Sequence, residues 1–327
     1  MTNFILPIVL AFGVTFTLLL ITLNTPLGKW LLDRPNERSL HQHPVPRIGG
    51  LAIMLGIASA WLAAKNTQAL LLLAMIAPLI AISVLDDFKG VAPLWRLIVQ
   101  FAVAVLALAS MTQDAWPWSA YVGALIMLVW GTNLYNFMDG SDGLAGGMAV
   151  FGFGGYALAA AFAGNFEFAV LTGAVVAAAL AFLMFNFNPA RVFMGDAGSV
   201  PLGFLAALFG IAGIRVGLWP MWFPFLVFSP FVVDATVTLV KRGRRGETLW
   251  KAHRDHYYQR LVRMGLGHRG TALVSYVAMF ISSLTALLMH DAASSKQWMA
   301  VSAIALAYAL GLVYVDRRWR KFEAQAA

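Results

Sequence analysis

Cysteine is absent from this 327-residue chain, and charged residues make up only 12% of it. The missing cysteines exclude disulfide bonds and thiol chemistry. The low charge excludes an ordinary soluble domain, in which about a quarter of the residues are charged. Hydrophobic residues reach 60% and the mean hydropathy is +0.75, so the composition predicts an integral membrane protein.

The chain also lacks any polar insertion long enough to form a separate soluble domain. Its apolar stretches follow one another, and most reach the roughly 17–25 residues that a membrane-spanning helix needs. These stretches lie at 4–23, 49–64, 69–85, 94–111, 118–137, 143–163, 168–185, 199–217, 218–240, 271–290 and 298–315. We predict an all-α integral membrane protein, with residues 1–327 forming one polytopic domain of about eleven transmembrane helices. Three prolines predict a kink or break in the ninth stretch.

Basic residues are nearly missing from every second segment between these stretches. All 23 lysines and arginines except Lys65, Arg215 and Lys296 lie in the alternate set. That set comprises 24–48, 86–93 with Arg96, 138–142, 186–198, 241–270 and 316–327. Because positive charge marks the cytoplasmic side, we predict a cytoplasmic C-terminus and an N-terminus outside. The cations are expected beside anionic headgroups of the bilayer, and no nucleic-acid partner is predicted.

Acidic residues are scarce on the predicted outer side, where only Asp114, Glu167 and Asp291 occur. Apart from Asp234, near the inner end of the ninth stretch, the other carboxylates lie in the cytoplasmic segments. This layout is typical of an enzyme that works at one membrane face. The alternative is a transporter or lipid flippase with a cytoplasmic gate, which would be expected to carry charges near the middle of its spans.

The first candidate site is the pair Asp86-Asp87, at the cytoplasmic end of the third stretch. Adjacent carboxylates repel each other unless a cation lies nearby. The pair therefore suggests a Mg²⁺ ion, or a substrate phosphate with its counter-ion. The alternative is a solvated loop that begins with acidic residues and stops at Gly90.

The second motif joins the fifth stretch to the sixth. Asn136, Asp139 and Asp142 recur every three residues, so they share a face if the helical turn persists. An ordinary N-cap explains Asp142, but it does not explain the other two side chains at a membrane edge.

The third motif lies in segment 186–198 and contains Asn186 and Asp196. Asp196 follows Gly195 and precedes a predicted helix start. Its carboxylate suits a cation, and the free N–H groups of the next turn suit a diphosphate. The alternative is that Asp196 or Ser199 simply caps the helix.

Two basic segments, 33–50 and 241–270, offer contacts for phosphate groups. Their candidate residues are Arg38, His41 and Arg47 in the first segment, and His253, Arg254 and His256 in the second. The two histidines share a face if the segment is helical, and the arginines around them favour a diphosphate over a metal. The alternatives are connecting-loop charge for the first segment and a headgroup-facing amphipathic segment for the second.

Five motifs in order, from Asp33 to Gly270, resemble the polyprenyl-phosphate N-acetylhexosamine-1-phosphate transferase family. They are RSLH…PVPRIGG, LDDFKG, NLYNFMDGSDGLAGG, FNFNPARVFMGDAGS and HRDHYYQR at 253–260, which we call the histidine segment. The peptidoglycan phospho-N-acetylmuramoyl-pentapeptide translocase is a more distant relative. The resemblance implies ten or eleven helices, a cytoplasmic active site, and transfer of a sugar-1-phosphate from a UDP-amino-sugar to undecaprenyl phosphate.

The resemblance also implies a role for each matching residue. Asp86 corresponds to the favoured base for the lipid phosphate, and Asp196 with Asp87 is expected to hold Mg²⁺, or Mn²⁺ in its place. The predicted catalytic residues are Asp86, Asp87, Asp139 and His256. The predicted substrate contacts are Arg38, His41, Arg47, Arg96, Asn136, Asp142, Asn186, His253 and Arg254.

The histidine segment departs from the family's patterns. Its string HRDHYYQR lacks the adjacent histidines of both the peptidoglycan enzyme and the common-antigen enzymes. This difference argues against a pentapeptide substrate and favours the branch serving O-antigen synthesis, whose sugars are N-acetylhexosamines or their 6-deoxy forms. A double displacement through an aspartyl phosphate is the alternative to direct transfer, and a homodimer is compatible with the sequence.

Overall fold

Helices form most of the described chain, which comprises residues 4–29, 32–33, 43–65, 67–111, 116–248 and 253–326 of a computed structural model. The predicted all-α class is confirmed. In chain order the helices are α1 (Ile5–Asn24), α2 (Gly49–Ala63), α3 (Thr67–Lys89), α4 (Pro93–Ser110), α5 (Trp118–Phe137), α6 (Leu144–Phe162), α7 (Phe166–Asn186), α8 (Asp196–Arg215), α9 (Trp222–Val227), α10 (Ser229–Arg244), α11 (Tyr257–Leu261), α12 (Gly267–Met289) and α13 (Ser294–Ala326). A 3₁₀ turn, Pro26–Lys29, follows α1, and a π turn, Val262–Leu266, joins α11 to α12. Two short strands, β1 (Leu32–Asp33) and β2 (Val45–Pro46), pair antiparallel.

Each predicted apolar stretch lies largely within helix. Within the described ranges, eight helical stretches are long and apolar enough to cross a membrane: Ile5–Asn24, Gln68–Lys89, Pro93–Ser110, Leu144–Phe162, Phe166–Asn186, Asp196–Arg215, Tyr257–Met289 and Ser294–Gln325. Helix α2 is apolar but has only 15 residues. The chain is therefore an all-α membrane protein, while the count of eleven spans and their orientation stay predictions.

The predicted break in the ninth stretch is confirmed. The stretch divides into α9 and α10 at Phe228, whose φ is −96° and ψ is 12°. Pro230, in the first turn of α10, has no N–H to donate back into α9. Beside the break, the Ser229 hydroxyl donates to the Ser282 hydroxyl of α12 at 3.0 Å. A polar contact thus ties the interrupted backbone to a neighbouring helix.

Helix α8 lies at the centre of the bundle. Every residue from 197 to 211 is buried, and α8 is the most buried of the eight candidate spans. Gly203 approaches the backbone of α5 so closely that a Cβ there would lie 2.6 Å from the carbonyl oxygen of Gly131. Small residues let membrane helices pack backbone against backbone in this way. Asp196, the first residue of α8, is therefore carried by the most enclosed helix.

Membrane orientation is tested by single cysteines in this Cys-free chain. Ser294 begins α13, and Asp316 lies about 33 Å further along that helix, beside Lys241 of α10. Cysteines at Ser294 and at Thr248 are therefore expected to label from opposite membrane sides. An impermeant maleimide should modify the first in intact cells and the second only after lysis. Labelling of the Thr248 position in intact cells would contradict the predicted orientation.

Candidate functional site

Four carboxylates from separate helix ends gather at one end of the bundle. Asp86 and Asp87 lie in the last turn of α3, Asp139 follows α5, and Asp196 opens α8. One guanidinium nitrogen of Arg96 in α4 bonds to Asp86 and lies 3.4 Å from Asp196. The negative charges of Asp87 and Asp196 both act on Asp139. We call these four side chains the acidic cluster.

The segment before α2 is held against the start of α8 by backbone contacts. Phe193 donates its N–H to the Pro46 carbonyl at 2.8 Å, and its own carbonyl accepts from the Gly49 N–H at 3.0 Å. A Cβ on Gly50 would collide with the backbone of Gly198 in α8. This close approach requires glycine, which gives the paired glycines of the PVPRIGG motif a structural reason.

These backbone contacts bring Arg47 to the acidic cluster. Its guanidinium lies 2.7 Å from the Asp33 carboxylate and 3.6 Å from that of Asp87. The Asp87 side chain is only 7% exposed, so this cation balances a charge that water hardly reaches. Arg38 and His41, which were predicted to act with Arg47, lie outside the described residues.

Arg96 joins two members of the acidic cluster. It forms an ion pair with one oxygen of Asp86 and lies 3.4 Å from Asp196. The other Asp86 oxygen accepts the backbone N–H of Val91 at 2.6 Å. Both oxygens of Asp86 are thus engaged by donors, and Arg96 is shared between the predicted base and the predicted metal ligand.

Asp196 is the first helical residue of α8 and is not its N-cap. Gly195 occupies the N-cap position with φ 69° and ψ 174°, and no side chain caps the helix there. The Asn136 amide donates to Asp196 and to the Ser199 hydroxyl, both at 2.9 Å. Ser199 in turn donates to the Gly195 carbonyl at 3.1 Å. The capping alternative is therefore wrong for both Asp196 and Ser199.

Asp139 is a partly buried member of the acidic cluster. Burial, and next the negative charge of Asp196, raise the pKa of Asp139 well above its usual range. Arg47 and a hydrogen bond from the Gly195 backbone N–H oppose this rise. The environment therefore favours the protonated form of Asp139 unless further positive charge enters the site.

The carboxylates of the acidic cluster suit a divalent cation whose coordination shell is completed by the substrate. The described residues contain no group of three His, Cys, Asp or Glu side chains arranged to hold a metal by themselves. Mg²⁺ typically uses one or two carboxylates, several waters and substrate phosphates, so such a group is not required. Four carboxylates face the guanidinium groups of Arg47 and Arg96, which leaves an excess of negative charge.

Asp142 and Asn186 hold two loops together. Asp142 accepts from the Asn188 amide at 2.8 Å. Asn186 accepts from the Gly143 N–H and donates to the Val192 carbonyl, both at 2.9 Å. Gly143, with φ 76°, is the N-cap of α6, so the capping alternative for Asp142 is wrong. Both side chains are buried, and their predicted substrate contacts stay predictions.

The histidine segment rests on Asp234, whose role the sequence did not reveal. One Asp234 oxygen lies 3.1 Å from Nδ1 of His256 and accepts the backbone N–H of Tyr257 at 2.9 Å. The other oxygen accepts the N–H of Tyr258 at 2.9 Å. The His256 ring lies 6.3 Å from that of Phe137, two residues before Asp139. Asp234 therefore fixes His256 beside the loop that carries part of the acidic cluster.

His253 lies against His256, with 4.9 Å between their ring centres. Burial, then the nearby His256 and Arg242, lower the pKa of His253 to about 4. His253 is therefore neutral at pH 7. Arg254, between the two histidines in sequence, is half-buried, and its guanidinium carries a permanent positive charge.

The chain is similar to known proteins over the region that contains the acidic cluster. A family model described as glycosyl transferase family 4 matches residues 69–214, which contain the whole acidic cluster. A probable undecaprenyl-phosphate N-acetylglucosaminyl 1-phosphate transferase of Bacillus subtilis is 30% identical over 308 residues, covering 87% of this chain and 86% of the relative.

Two other relatives widen this comparison. An undecaprenyl-phosphate alpha-N-acetylglucosaminyl 1-phosphate transferase of Yersinia pestis is 26% identical over 312 residues, covering 89% of this chain and 85% of the relative. A phospho-N-acetylmuramoyl-pentapeptide-transferase of Geobacillus kaustophilus is 30% identical over 290 residues, covering 77% and 89%. The resemblance predicted from the motifs is confirmed.

The lowered pKa of His253 predicts how stability depends on pH. A histidine that stays neutral in the fold contributes stability above its unfolded pKa of 6.5, and this contribution is lost as the pH falls toward about 4. His253→Gln removes the titrating group. The melting temperature of the variant should fall less than that of the wild type between these pH values.

Melting in detergent at a series of pH values measures this difference. His43→Gln, at an exposed position, is the matched control and should follow the wild type. Parallel pH profiles for wild type and His253→Gln would contradict the burial of a neutral His253.

Proposed function

Since the chain belongs to glycosyl transferase family 4, we propose that it transfers a sugar-1-phosphate from a UDP-sugar to undecaprenyl phosphate. The sugar is an N-acetylhexosamine or its 6-deoxy form, and the product begins a lipid-linked surface polysaccharide of the O-antigen type. The observation that carries this proposal is the convergence of four carboxylates and two arginines at one end of the helix bundle.

The reaction joins two anions, so charge repulsion is its main physical obstacle. A phosphate oxygen of the lipid attacks the phosphorus attached to the sugar, and a new P–O bond forms. The bond from that phosphorus to the oxygen bridging the diphosphate breaks, and UMP leaves. Positive groups must therefore lie close to the reacting phosphates, and Arg47 and Arg96 are the cations that contact the acidic cluster in the described residues.

Asp86 is the proposed base, and Arg96 controls its availability. In the structure Arg96 bonds to Asp86. A substrate phosphate that draws this guanidinium toward itself frees a carboxylate oxygen. That oxygen takes or holds the proton of the lipid phosphate, while the neighbouring Asp87 adjusts its basicity through its negative charge.

Asp87 and Asp196 are the proposed holders of Mg²⁺, with Mn²⁺ as the alternative ion. Their carboxylates, together with the substrate diphosphate, match the donors that this ion prefers. When bound, the ion supplies charge neutralisation for the diphosphate. Asn136 orients Asp196 through its 2.9 Å hydrogen bond, and positive charge entering the cluster would lower the raised pKa of Asp139.

The histidine segment is proposed to grip the diphosphate from the aqueous side. Asp234 engages Nδ1 of His256, which leaves the Nε2 edge of the ring for a ligand. Arg254 supplies a permanent charge, and the neutral His253 supplies a hydrogen-bond partner. These residues lie beside Phe137 and hence beside the loop of the acidic cluster.

An apolar cavity suits the isoprenoid part of the acceptor. It has a volume of about 460 Å³ and lies between α10, α11, α12 and α13. Phe231, Met279 and Leu312 line its walls, and Met138, the residue before Asp139, lies at its edge. The first isoprene units in this cavity would place the lipid phosphate near the acidic cluster. This cavity lies beside the broken ninth stretch, because α10 forms one of its walls.

The transporter alternative is not favoured. Asp234 was the one charge expected near a span interior, and it is engaged by His256 and two backbone N–H groups. The acidic cluster lies at helix ends, as an enzyme at one membrane face requires. We propose that this face is cytoplasmic in the bacterial inner membrane, with eleven spans in total.

Metal dependence is tested by Asp196→Asn, which keeps the shape of the side chain and removes its charge. Transfer should fall about 10³-fold or more, because the ion contributes several kcal/mol to the transition state. UMP release from a panel of UDP-sugars with undecaprenyl phosphate measures the loss. Wild-type activity should also vanish in EDTA and return with Mg²⁺. Near-normal turnover by the variant would contradict the metal assignment.

Steady-state kinetics distinguish the proposed role of the acidic cluster from that of the histidine segment. Asp86→Asn should lower kcat with little change in the KM for UDP-sugar, because the base acts mainly in the transition state. His256→Ala and Arg254→Ala should raise that KM and keep part of kcat at saturation. Asp291→Asn, at an exposed carboxylate of the α12–α13 turn, is the matched control and should change neither constant.

A change in KM where a change in kcat is expected would contradict the assigned roles. If Asp86→Asn raised only the KM for UDP-sugar, the base would have to be sought elsewhere. Exchange of labelled UMP into UDP-sugar without any lipid acceptor would favour double displacement, whereas strict dependence on the acceptor supports direct transfer.

A further inference from the structure

Helix α13 continues beyond its apolar stretch and meets the histidine segment through one carboxylate. Asp316 forms an ion pair with Lys241 of α10. It also accepts the Tyr257 hydroxyl at 3.2 Å and lies 3.1 Å from the Arg260 guanidinium. Three donors from two helices thus converge on Asp316. From the sequence, this residue was only the first of the basic cytoplasmic segment 316–327.

One turn further along α13, the ring of Trp319 lies against Arg260 of α11. Among the described side chains of α13, Trp319 is the only buried one. The guanidinium groups of Arg260 and Arg263 lie 5.6 Å and 4.7 Å from its ring centre. Arg260 is itself buried, so its cation–π contact is shielded from water, whereas Arg263 is exposed.

These contacts bear directly on His256, which is the N-cap of α11. The Arg260 backbone N–H donates to the His256 carbonyl at 3.0 Å, so the two residues belong to one helical turn. Asp234 holds this turn from α10 through the Tyr257 N–H, and Asp316 holds it from α13 through the Tyr257 hydroxyl. The turn that presents His256 is therefore fixed between two carboxylates on different helices.

We propose that Asp316, supported by Trp319, is a positioning residue for UDP-sugar binding: it holds α11 so that His256 and Arg254 meet the diphosphate. This inference rests on the proposed function of the histidine segment. Asp316 touches no residue of the acidic cluster in the described contacts, so it acts on substrate affinity and not on the bond-forming step.

Asp316→Asn keeps the shape of the side chain and removes the charge that faces Lys241 and Arg260. The KM for UDP-sugar should rise about tenfold, equivalent to about 1.4 kcal/mol. The kcat should stay within about twofold of the wild type, since the acidic cluster is unaltered. Asp316→Glu, which restores the charge, should return the KM toward the wild-type value.

Glu323→Gln is the matched control, since it removes one carboxylate from an exposed position of the same helix. It should leave both kinetic constants unchanged. Trp319→Leu keeps Asp316 and removes the ring over Arg260, so it should also raise the KM at nearly constant kcat. This variant decides the matter if Asp316→Asn does not fold, as judged by its melting temperature.

The outcome that overturns the inference is an unchanged KM in Asp316→Asn and Trp319→Leu, or a loss confined to kcat. His256→Ala, measured in parallel, separates this failure from failure of the proposed function. If His256→Ala raises the KM while the α13 variants do not, only the positioning role is overturned. If His256→Ala leaves the KM unchanged, the diphosphate role of the histidine segment fails, and the inference fails with it.

Discussion

Repulsion among the carboxylates of the acidic cluster is the constraint on which the rest of the site depends. Helix ends from α3, α5 and α8 bring these groups together, yet the compensating arginines belong to other elements. Arg47 comes from the segment before α2, and Arg96 comes from the first turn of α4. A carboxylate left unpaired in such a place would cost several kcal/mol. The fold therefore has to deliver both segments to one spot, which explains the close backbone contacts at Phe193 and Gly50.

The two halves of the site are held by different means. In the acidic cluster, opposite charges and backbone contacts act at the ends of long helices. The histidine segment has only the five-residue α11, which is too short to be stable alone. Asp234 and Asp316 supply the missing support from α10 and α13. The acidic cluster and the histidine segment meet where the Phe137 ring lies near His256. The short loop after α5 therefore connects the proposed phosphate-transfer site to the proposed binding site for the UDP-sugar.

Local patterns predicted most of the fold and the acidic cluster, because apolar stretch length determines helix placement and the acidic motifs lie at the stretch ends. They did not predict the support of the histidine segment. Asp234 was noticed only as a charge near the inner end of a span. Its partner, His256, lies more than twenty residues further along the chain. Asp316 was hidden in a basic tail that topology alone seemed to explain. The hydrogen bonds by which Asp142 and Asn186 hold loops were also not predicted, because such long-range pairing is not encoded in residue spacing. Their substrate contacts stay predictions.

The burial of α8 has a consequence for how the protein tolerates different bilayers. Residues 197–211 of α8 are all buried, whereas α13 buries a single described side chain. Changes in membrane thickness act on helices that contact lipid, which respond by tilting. Outer helices such as α13 therefore absorb most of the mismatch, and Asp196, carried by the sheltered α8, is the member of the acidic cluster whose position depends least on bilayer thickness.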